Sequence, residues 1–559
     1  MVDNSTKVNA TARRTAFFAS PIELVLVAAG LAALIVALQI ISGAYSGGFG
    51  DDEASHYISG LFVKEYLTTF PPQSPLDFLR EFHSRYPLVG IGHWPPLFYG
   101  VEALWMMVFS TSKASVIALA GTITLLIALT LYSVLVSRFG RIPAAFAALA
   151  FIVSPVVQAS SNELMLDVPV ALSCLLAMLS YMRYLDIGRP LYSVLFGVLA
   201  SSALLIKGNA ACLALLPAFV ILLGGRWDLL RKPFFWVPLP IVLVATGPWY
   251  AFTYGMVEQG FRYGWGLTYV EVAMISNARY VWDNLGPLVI IFALIGLASL
   301  FFRSGKAADN CLLVASSLFL SVWVFQMVVP AAIQDRYLAP AFPAILIMAV
   351  FGAYAAYHKL KANSGSLSWQ PNGGLIAGVF AAMLLAPIAI RGTGISPKPA
   401  NGFSWAADKL WSIYNPRNPA VLIVANGRAE AAAIAEFAMG DPKRPSLFAV
   451  RGSRIFGGGG YNNQDYVPRF ENVADLMKEV DEYSISLMIL QKDDGKGAWR
   501  HIHQAEKLPA LYPDRWRLLA RNTDVSPEVS IFAIQGNENR ELPVQKMMVL
   551  TGPRALRQP

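Results

Sequence analysis

Three consecutive carboxylates, Asp51, Asp52 and Glu53, follow a glycine-rich turn just after the first long apolar run of the chain. Neighbouring acids repel one another, and apolar surroundings raise the cost of ionising all three, so this group is a candidate base or metal ligand. The alternative is a solvated acidic turn that caps a helix starting near Ala54, because acids are favoured at helix N-termini. The spacing alone leaves both interpretations open.

A further carboxylate, Asp167, lies between two apolar runs in the sequence Leu166-Asp167-Val168-Pro169. A charge at the centre of a bilayer costs about 2.5–3.5 kcal/mol, so an acid beside a span usually marks a pathway or a site. The simpler alternative is a helix N-cap with Pro169 in the first turn. That alternative explains the position but not the acid, since Ser or Asn would cap equally well.

Several cations and aromatic residues also lie between apolar runs. Lys207 is suited either to snorkel to the headgroups or to hold a lipid phosphate as a point charge. Arg336 is similar, with neutralisation by Asp335 as the alternative. The loop 256–285 carries Arg262 among aromatic residues, which usually form an interfacial belt, although sugars also stack on them.

His93 and Trp94 precede two prolines, which predict a rigid bend before the next apolar segment. We expect both side chains near the outer membrane surface, on the same side as Asp52. His56 with Asp52 is a candidate pair for a divalent ion, although no tight His/Asp spacing demands a metal.

The composition excludes a soluble globule, a disordered chain and a coiled coil. Of 559 residues, 55% are hydrophobic and only 14% are charged, whereas soluble domains carry about 25% charged residues. The chain is therefore predicted to be an integral membrane protein. Its three cysteines lie in apolar runs and indicate buried packing residues, with neither a disulfide framework nor zinc spacing. The net charge is +8, but basic and acidic residues nearly balance in the charged C-terminal stretch. No basic patch is evident there, so we expect no nucleic-acid partner.

Eleven apolar runs are long enough to be predicted spans. They are residues 22–42, 114–136, 143–160, 166–184, 190–206, 208–223, 234–255, 286–302, 311–330, 337–357 and 373–391. With this division, 14 Lys and Arg residues fall in short segments on the N-terminal side, and four fall in short loops on the other side. The positive-inside rule then places the N-terminus in the cytoplasm. The division requires Leu97–Ser110, which is short and contains Glu102, to lie at the interface rather than to cross.

The predicted fold class is an α-helical polytopic membrane protein with a C-terminal soluble α/β domain. Residues 1–19 form the cytoplasmic N-terminus, and residues 20–391 form the transmembrane domain, which includes a first outer loop at 43–113. From about residue 392 the composition becomes charged, and strand-like runs at 420–425, 447–450 and 486–490 alternate with helical runs at 428–439 and 472–483. A further β-rich pair follows near 516–520 and 529–534. Residues 392–559 are therefore expected to form an extracytoplasmic α/β domain that folds without the membrane part.

Five short motifs occur in one order along residues 20–360. They are Asp52-Glu53, Trp94-Pro95-Pro96-Leu97-Phe98-Tyr99, Leu166-Asp167-Val168-Pro169, Lys207-Gly208 and Arg336-Tyr337-Leu338-Ala339-Pro340. This ordered set resembles the C-type glycosyltransferases of the protein O-mannosyltransferase and aminoarabinose-transferase kind. The resemblance implies a multi-spanning enzyme that uses polyprenyl-phosphate sugars at the outer face of the plasma membrane, which in bacteria is the inner membrane.

The resemblance also implies roles for residues that match the motifs. Asp52 matches the first acid of the pair, expected to be a base or a metal ligand, and Glu53 matches the second. Asp167 matches the acid of the second outer loop. Lys207 is expected near the lipid phosphate, and Tyr337 matches the tyrosine of the last motif.

Two departures from the motifs affect the sugar and the acceptor more than the reaction class. Trp94, with His93 beside it, stands where aminoarabinose-type members usually have Lys, and Asn209 replaces the usual proline.

The leading hypothesis is an inverting glycosyltransferase whose acceptor is a lipid, a glycan or a protein. Asp52 would take the proton of the acceptor or hold a metal, for which Asp52, His56 and Asp167 are the candidate ligands. Lys207, with Arg262 or Arg336, would neutralise the leaving phosphate. The alternative is a transporter or lipid flippase without transferase activity. Transporters tend to carry acids near the midplane and internal repeats, whereas here the ionisable residues cluster at one face.

The predicted topology can be tested by labelling a single cysteine introduced for Asp52. An impermeant thiol reagent should label it in unpermeabilised cells, because this position is predicted to lie on the outer face. Labelling only from the cytoplasmic side would reverse the topology and would remove the basis for the transferase hypothesis.

Overall fold

The computed structural model describes residues 20–70, 73–258, 263–302, 309–363, 373–391, 394–395, 397–458, 466–493, 499–538 and 540–551. Two predictions fall outside these residues: the cytoplasmic segment 1–19 and the position of Arg262.

Most of the chain is helical, and the strands lie in its C-terminal third. The helices are α1 (Pro21–Ile41), α2 (Asp51–Thr68), α3 (Pro75–Arg85), α4 (Leu97–Val108), α5 (Lys113–Phe139), α6 (Arg141–Ile152), α7 (Pro155–Ser161), α8 (Asp167–Ile187), α9 (Pro190–Leu204), α10 (Leu216–Gly224), α11 (Pro233–Trp236), α12 (Pro238–Glu258), α13 (Leu267–Leu285), α14 (Pro287–Ser299), α15 (Asn310–Val328), α16 (Phe342–Asn363), α17 (Gly373–Arg391), α18 (Phe403–Ile413), α19 (Gly427–Gly440), α20 (Gly452–Ile455), α21 (Val473–Glu482), α22 (Arg500–Leu511) and α23 (Val544–Thr551). The strands are β1 (Ala420–Val424), β2 (Phe448–Arg451), β3 (Gly457–Gly458), β4 (Val467–Pro468), β5 (Leu487–Gln491), β6 (Trp516–Asn522) and β7 (Val529–Ile534). Short 3₁₀ helices cover Gly208–Leu215, Trp227–Arg231 and Asp335–Ala341.

The chain divides into two compact units. The first contains residues 1–42, 92–98 and 117–396, and the second contains residues 43–91, 99–116 and 397–559. Each unit is therefore built from segments that are distant in sequence.

The apolar helices of the first unit account for the predicted spans. Within the described residues, seven helices are long and apolar enough to cross a membrane, or nine if each of two bent helix pairs counts as one span. The predicted spans at 190–206 and 208–223 correspond to shorter apolar helices, Pro190–Leu204 and Gly208–Gly224. The multi-spanning helical class is confirmed, whereas the count of eleven stays a prediction.

Two predicted features of this unit differ from the structure in detail. The span predicted at 143–160 is broken, because α6 and α7 meet at 63°. The loop predicted at 256–285 contains α13, which meets α14 at 112°. Asn284 connects both breaks: its Oδ1 accepts a 2.8 Å hydrogen bond from the Val156 N–H, and its Nδ2 donates to the Tyr280 carbonyl. Side-chain partners of this kind make interrupted helices tolerable in an apolar medium.

Glycines allow α14 and α16 to approach closely. A Cβ atom on Gly352 would lie 1.8 Å from the Phe292 carbonyl oxygen, and one on Gly296 would lie 2.2 Å from the Met348 carbonyl oxygen. Small residues at such contacts let helices associate by van der Waals packing, which is the main attraction available between apolar helices in lipid.

The second unit contains the predicted α/β fold. A five-stranded sheet has the order β2-β1-β5-β7-β6; β2, β1 and β5 are parallel, and β7 and β6 are antiparallel additions. Every residue of β1 and β7 is buried, as expected for strands covered on both faces. The strands predicted from apolar runs at 420–425, 447–450, 486–490, 516–520 and 529–534 are all present within a residue or two.

The second unit is larger than the predicted domain 392–559, because the first loop packs with it. The Tyr86 hydroxyl donates a 2.5 Å hydrogen bond to Asp441 Oδ2, and both residues are buried. Arg444 Nε lies 2.9 Å from Glu65 Oε1. Residues 397–559 alone would lack these two contacts, and independent folding of that segment stays a prediction.

Candidate functional site

In the first unit, Asp167 and Lys207 form an ion pair at the ends of helices. Asp167 is the first residue of α8, and Lys207 is extended between α9 and the following 3₁₀ helix. Lys207 Nζ lies 2.5 Å from Asp167 Oδ1, with side-chain exposures of 13% and 0%. Leu166 occupies the N-cap and makes no side-chain capping bond, so the capping alternative for Asp167 is wrong. Burial of the acid is possible because the lysine is beside it.

The aromatic ring of Tyr337 lies against both cations of this group. Lys207 Nζ is 4.4 Å from the ring centroid, and Arg336 Cζ is 5.7 Å from it. Arg336 Nε donates a 2.7 Å hydrogen bond to Gln334 Oε1, and Nη1 lies 3.9 Å from Met165 Sδ. Cation–π attraction is strongest where the cation has lost part of its water. The structure therefore brings together Asp167, Lys207, Arg336 and Tyr337, which the sequence identified only as separate candidates.

The segment containing His93 and Trp94 is attached to the chain just before Lys207. The Leu97 N–H donates a 3.0 Å hydrogen bond to the Leu205 carbonyl oxygen. The rings of His93 and Trp94 are perpendicular, with centroids 4.7 Å apart, and both side chains are half-buried. Asn209, two residues beyond Lys207, has no hydrogen-bond partner for either amide atom within the described residues. Both amide atoms are buried.

In the second unit, the acidic turn begins α2 at Asp51. Glu53 Oε2 accepts a 2.7 Å hydrogen bond from the Gly50 N–H, and both its oxygens lie 2.7 Å from Lys398 Nζ. Glu53 is fully buried. The expectation of a helix start near Ala54 is thus off by three residues, and Glu53 is a buried, paired cap rather than a solvated one. Asp52 is half-buried in the first turn of the same helix.

A second buried ion pair lies under the glycine-rich turn. Lys113 Nζ contacts Glu436 Oε1 and donates a 2.8 Å hydrogen bond to the Gly47 carbonyl oxygen. It also lies 4.7 Å from the centroid of the Phe49 ring. On the other side of the turn, the Gly48 N–H donates to the Pro399 carbonyl oxygen at 3.0 Å. These contacts fix the backbone that leads into Asp52.

The buried imidazole of His56 lies within hydrogen-bond distance of a tyrosine hydroxyl. Its Nδ1 lies 2.9 Å from the Tyr99 hydroxyl, and the imidazole is 2% exposed. No group of three or more His, Cys, Asp or Glu side chains suited to a metal occurs in the part of the chain that the structure describes. The metal candidates Asp52, His56 and Asp167 therefore stay a prediction, and no step below depends on a metal.

Sequence reasoning missed Lys398, Lys113 and Glu436. Lys398 follows the last apolar run, Lys113 precedes the second, and Glu436 lies in a predicted helix. Nothing local distinguishes them from solvated charges. The available signal was indirect: the acidic turn needs counter-charges if it is buried, and the nearby outer segments contain few lysines.

Comparison with known proteins identifies the fold. Residues 93–252 match the family model for dolichyl-phosphate-mannose-protein mannosyltransferase. The structure is similar to ArnT from Cupriavidus metallidurans bound to undecaprenyl phosphate, with a TM-score of 0.58 and 14% identity over 93% of this chain and 99% of that chain. The chain has the fold of the C-type membrane glycosyltransferases. The resemblance of the five motifs is confirmed at this level.

Two further structures carry the same C-type glycosyltransferase fold. Apo ArnT from the same organism matches with a TM-score of 0.55 and 14% identity, over 94% of this chain and all of that chain (100%). An oligosaccharyltransferase from Archaeoglobus fulgidus, tethered to an acceptor peptide, matches with a TM-score of 0.50 and 14% identity, over 84% of this chain and 69% of that chain. No curated protein matches the sequence.

The Asp167–Lys207 pair predicts a measurable effect on stability. Asp167→Asn should lower the free energy of unfolding by about 3 kcal/mol, because it leaves a largely buried ammonium without its counter-charge. Thermal unfolding of the purified full-length protein would measure the change. The double variant Asp167→Asn/Lys207→Met should recover much of the loss, since the unpaired charge is gone.

Asp228→Asn is the matched control, because Asp228 forms a surface pair with Lys232 in the same unit, with side-chain exposures of 52% and 49%. Its cost should stay below about 1 kcal/mol. If Asp167→Asn has the same melting temperature as the wild type, the ion pair does not contribute to stability as predicted.

Proposed function

We propose that the protein is an inverting glycosyltransferase that transfers a sugar from a polyprenyl-phosphate donor to a lipid, glycan or protein acceptor. The observation that carries this proposal is the cluster of Lys207, Arg336 and Tyr337 around the buried Asp167, in a chain with the C-type glycosyltransferase fold. The undecaprenyl phosphate bound to the ArnT relative supports a lipid-phosphate ligand, and the peptide tethered to the archaeal relative supports an outer acceptor.

The cation cluster suits a leaving phosphate. Lys207 is a compact charge that Asp167 and the Tyr337 ring hold in place, and Arg336 offers planar donors of the kind that match phosphate oxygens. Negative charge grows on the phosphate as its bond to the sugar breaks. Fixed positive charges that meet this growing charge stabilise the transition state, because they need no reorganisation during the reaction. Apolar helices around the cluster reduce solvent screening and strengthen the effect.

In the reaction, an acceptor hydroxyl oxygen attacks the anomeric carbon of the donor sugar. The bond between that carbon and the phosphate oxygen breaks, and polyprenyl phosphate leaves with the bonding electron pair. Asp52 takes the proton of the hydroxyl as general base. Glu53 positions Asp52 rather than reacting, because its oxygens are already occupied by the Gly50 N–H and by Lys398. His93, Trp94 and Asn209 are proposed to contact the sugar or the acceptor.

The proposed location is the bacterial inner membrane, with the N-terminus in the cytoplasm and Asp52 and residues 392–559 outside. The distribution of Lys and Arg supports this orientation. An outer active face agrees with a lipid-linked donor, which carries an activated sugar without a nucleotide.

Lys207→Met should lower kcat/KM for the lipid-linked donor by about 10²–10³, because it removes one preorganised charge while keeping an apolar stem of similar length. Transfer from polyprenyl-phosphate mannose in proteoliposomes would measure it. Lys232→Met, which removes an exposed lysine from the same unit, is the control. Equal activity of both variants would refute the phosphate role of Lys207.

Asp52→Asn should abolish transfer while leaving expression and thermal stability intact, because the amide cannot accept the proton. Asp77→Asn is the matched control: Asp77 lies on the same loop, is 66% exposed and pairs only with Arg80 among the contacts described for it. Near-full activity of Asp52→Asn would contradict the assignment and direct attention to Asp51.

A further inference from the structure

A cavity of about 110 Å³ lies within the second unit, beside the glycine-rich turn that leads to α2. Its lining includes Ser46, Asn401, Trp405, Glu436 and Asn522. One water molecule needs about 10–15 Å³ of cavity volume, so this cavity has room for several waters or for one edge of a larger polar ligand. None of these residues has a role in the mechanism above.

Glu436 presents a buried polar atom that lacks a partner. The residue is 1% exposed, and its Oε1 contacts Lys113. Its Oε2 has no hydrogen-bond partner within the described residues. Burial raises the pKa of the Glu436 carboxyl, and the neighbouring Lys113 acts in the opposite direction. A buried oxygen in this state is costly unless a donor reaches it, and the cavity that Glu436 lines is where such a donor would lie.

Two amide side chains that line the cavity have their oxygens hydrogen-bonded to the backbone. Asn401 Oδ1 accepts from the Phe403 N–H at 3.2 Å, and Asn522 Oδ1 accepts from the Asp524 N–H at 3.0 Å. Their amide oxygens are therefore engaged by backbone, which leaves the NH₂ groups as the donors. Together with Glu436 Oε2, the walls combine donors with a carboxylate acceptor.

The chemistry of the walls selects neutral hydroxyl groups. A hydroxyl both donates and accepts, so it satisfies a carboxylate oxygen and an amide NH₂ at once. Lys113 already neutralises the Glu436 carboxylate, so the pair attracts neither a further cation nor an anion. The half-buried indole of Trp405 adds a flat apolar surface, which suits the C–H face of a sugar ring.

We propose that this cavity binds one neutral sugar residue of a substrate, with Trp405 against the ring and with Glu436, Asn401 and Asn522 on its hydroxyls. The proposal rests on the proposed function, because it assigns the sugar to a glycosyltransferase substrate. The competition experiment below distinguishes a donor sugar from an acceptor sugar.

Residues 398–401 pack closely against the two glycines that lead to the acidic turn. A Cβ atom on Gly48 would lie 2.0 Å from Asn401 Nδ2, and one on Gly47 would lie 2.4 Å from the Lys398 carbonyl oxygen. Glycine is thus required for the turn to pack against residues 398–401. A ligand that fills the cavity therefore stabilises the backbone immediately before Asp52.

Binding can be tested with saturation-transfer difference NMR on the full-length protein in detergent. The probes are methyl α-mannopyranoside, methyl α-glucopyranoside and N-acetylglucosamine, without donor present. At least one probe should bind. Trp405→Ala should weaken its binding by about tenfold or more, and Asn522→Ala by about three- to tenfold. Trp405→Phe should retain most of the binding, because it keeps an aromatic face.

Thr523→Ala is the matched control for Asn522→Ala, because Thr523 is the exposed neighbour in the chain and does not line the cavity. Its binding should equal that of the wild type. The proposal is overturned if no probe binds, or if Asn522→Ala and Thr523→Ala bind alike. Asn522→Ala replaces a half-buried side chain, so it keeps the test valid even if Trp405→Ala fails to fold.

A competition experiment with polyprenyl-phosphate mannose distinguishes a donor-sugar site from an acceptor-sugar site. Displacement of the bound glycoside assigns the cavity to the donor sugar, and simultaneous binding assigns it to an acceptor sugar. Glycoside binding is measured without transfer, so its outcome is independent of the Lys207→Met result. Absence of transfer by the wild-type protein would refute the proposed function and leave a positive binding result standing as a sugar site.

Discussion

Both units hold their candidate functional side chains through ion pairs that have been removed from water. An isolated charge in such surroundings costs several kcal/mol, so it persists only with a partner that also satisfies its hydrogen bonds. Asp167, Glu53 and Glu436 each have a lysine partner, which is Lys207, Lys398 and Lys113 respectively. Among the described residues, Asp167 Oδ2 and Glu436 Oε2 make no hydrogen bond, so these two pairs leave one carboxylate oxygen each unsatisfied. The local geometry of the helix ends, the glycine turn and the 3₁₀ segments follows from the need to bring these partners together.

Some helices of this apolar protein are interrupted where charged side chains lie. Lys207 is extended between α9 and a 3₁₀ helix, and Arg336 lies in the first turn of another 3₁₀ helix, which begins at Asp335 after an extended Gln334. Elsewhere, Asn284 satisfies backbone groups where α7 begins. Irregular backbone in an apolar environment is stable only where side chains or neighbouring helices complete its hydrogen bonds.

The two acids of the Asp52-Glu53 motif have different surroundings in spite of their adjacency. Glu53 is buried, caps α2 through the Gly50 N–H and pairs with Lys398, whereas Asp52 is half-buried in the first turn. A carboxylate whose oxygens are fully engaged is a poor proton acceptor, which makes Glu53 a weak candidate for a base. By the same argument, Glu436 Oε2, which has no partner within the described residues, is the oxygen that a further donor would satisfy.

The sequence by itself determined the membrane class, the order of the motifs and the strands of the sheet, because all three depend on local composition and periodicity. It also identified Asp167, Lys207, Arg336 and Tyr337 as separate candidates. Only the tertiary structure decided that Lys207 pairs with Asp167 across 40 positions and that Glu53 pairs with Lys398 across 345 positions. No local pattern distinguishes a lysine that will be buried beside an acid from one that remains in water. The partner is fixed by chain topology, since the energy of an ion pair depends on distance in space and on burial rather than on position in the sequence.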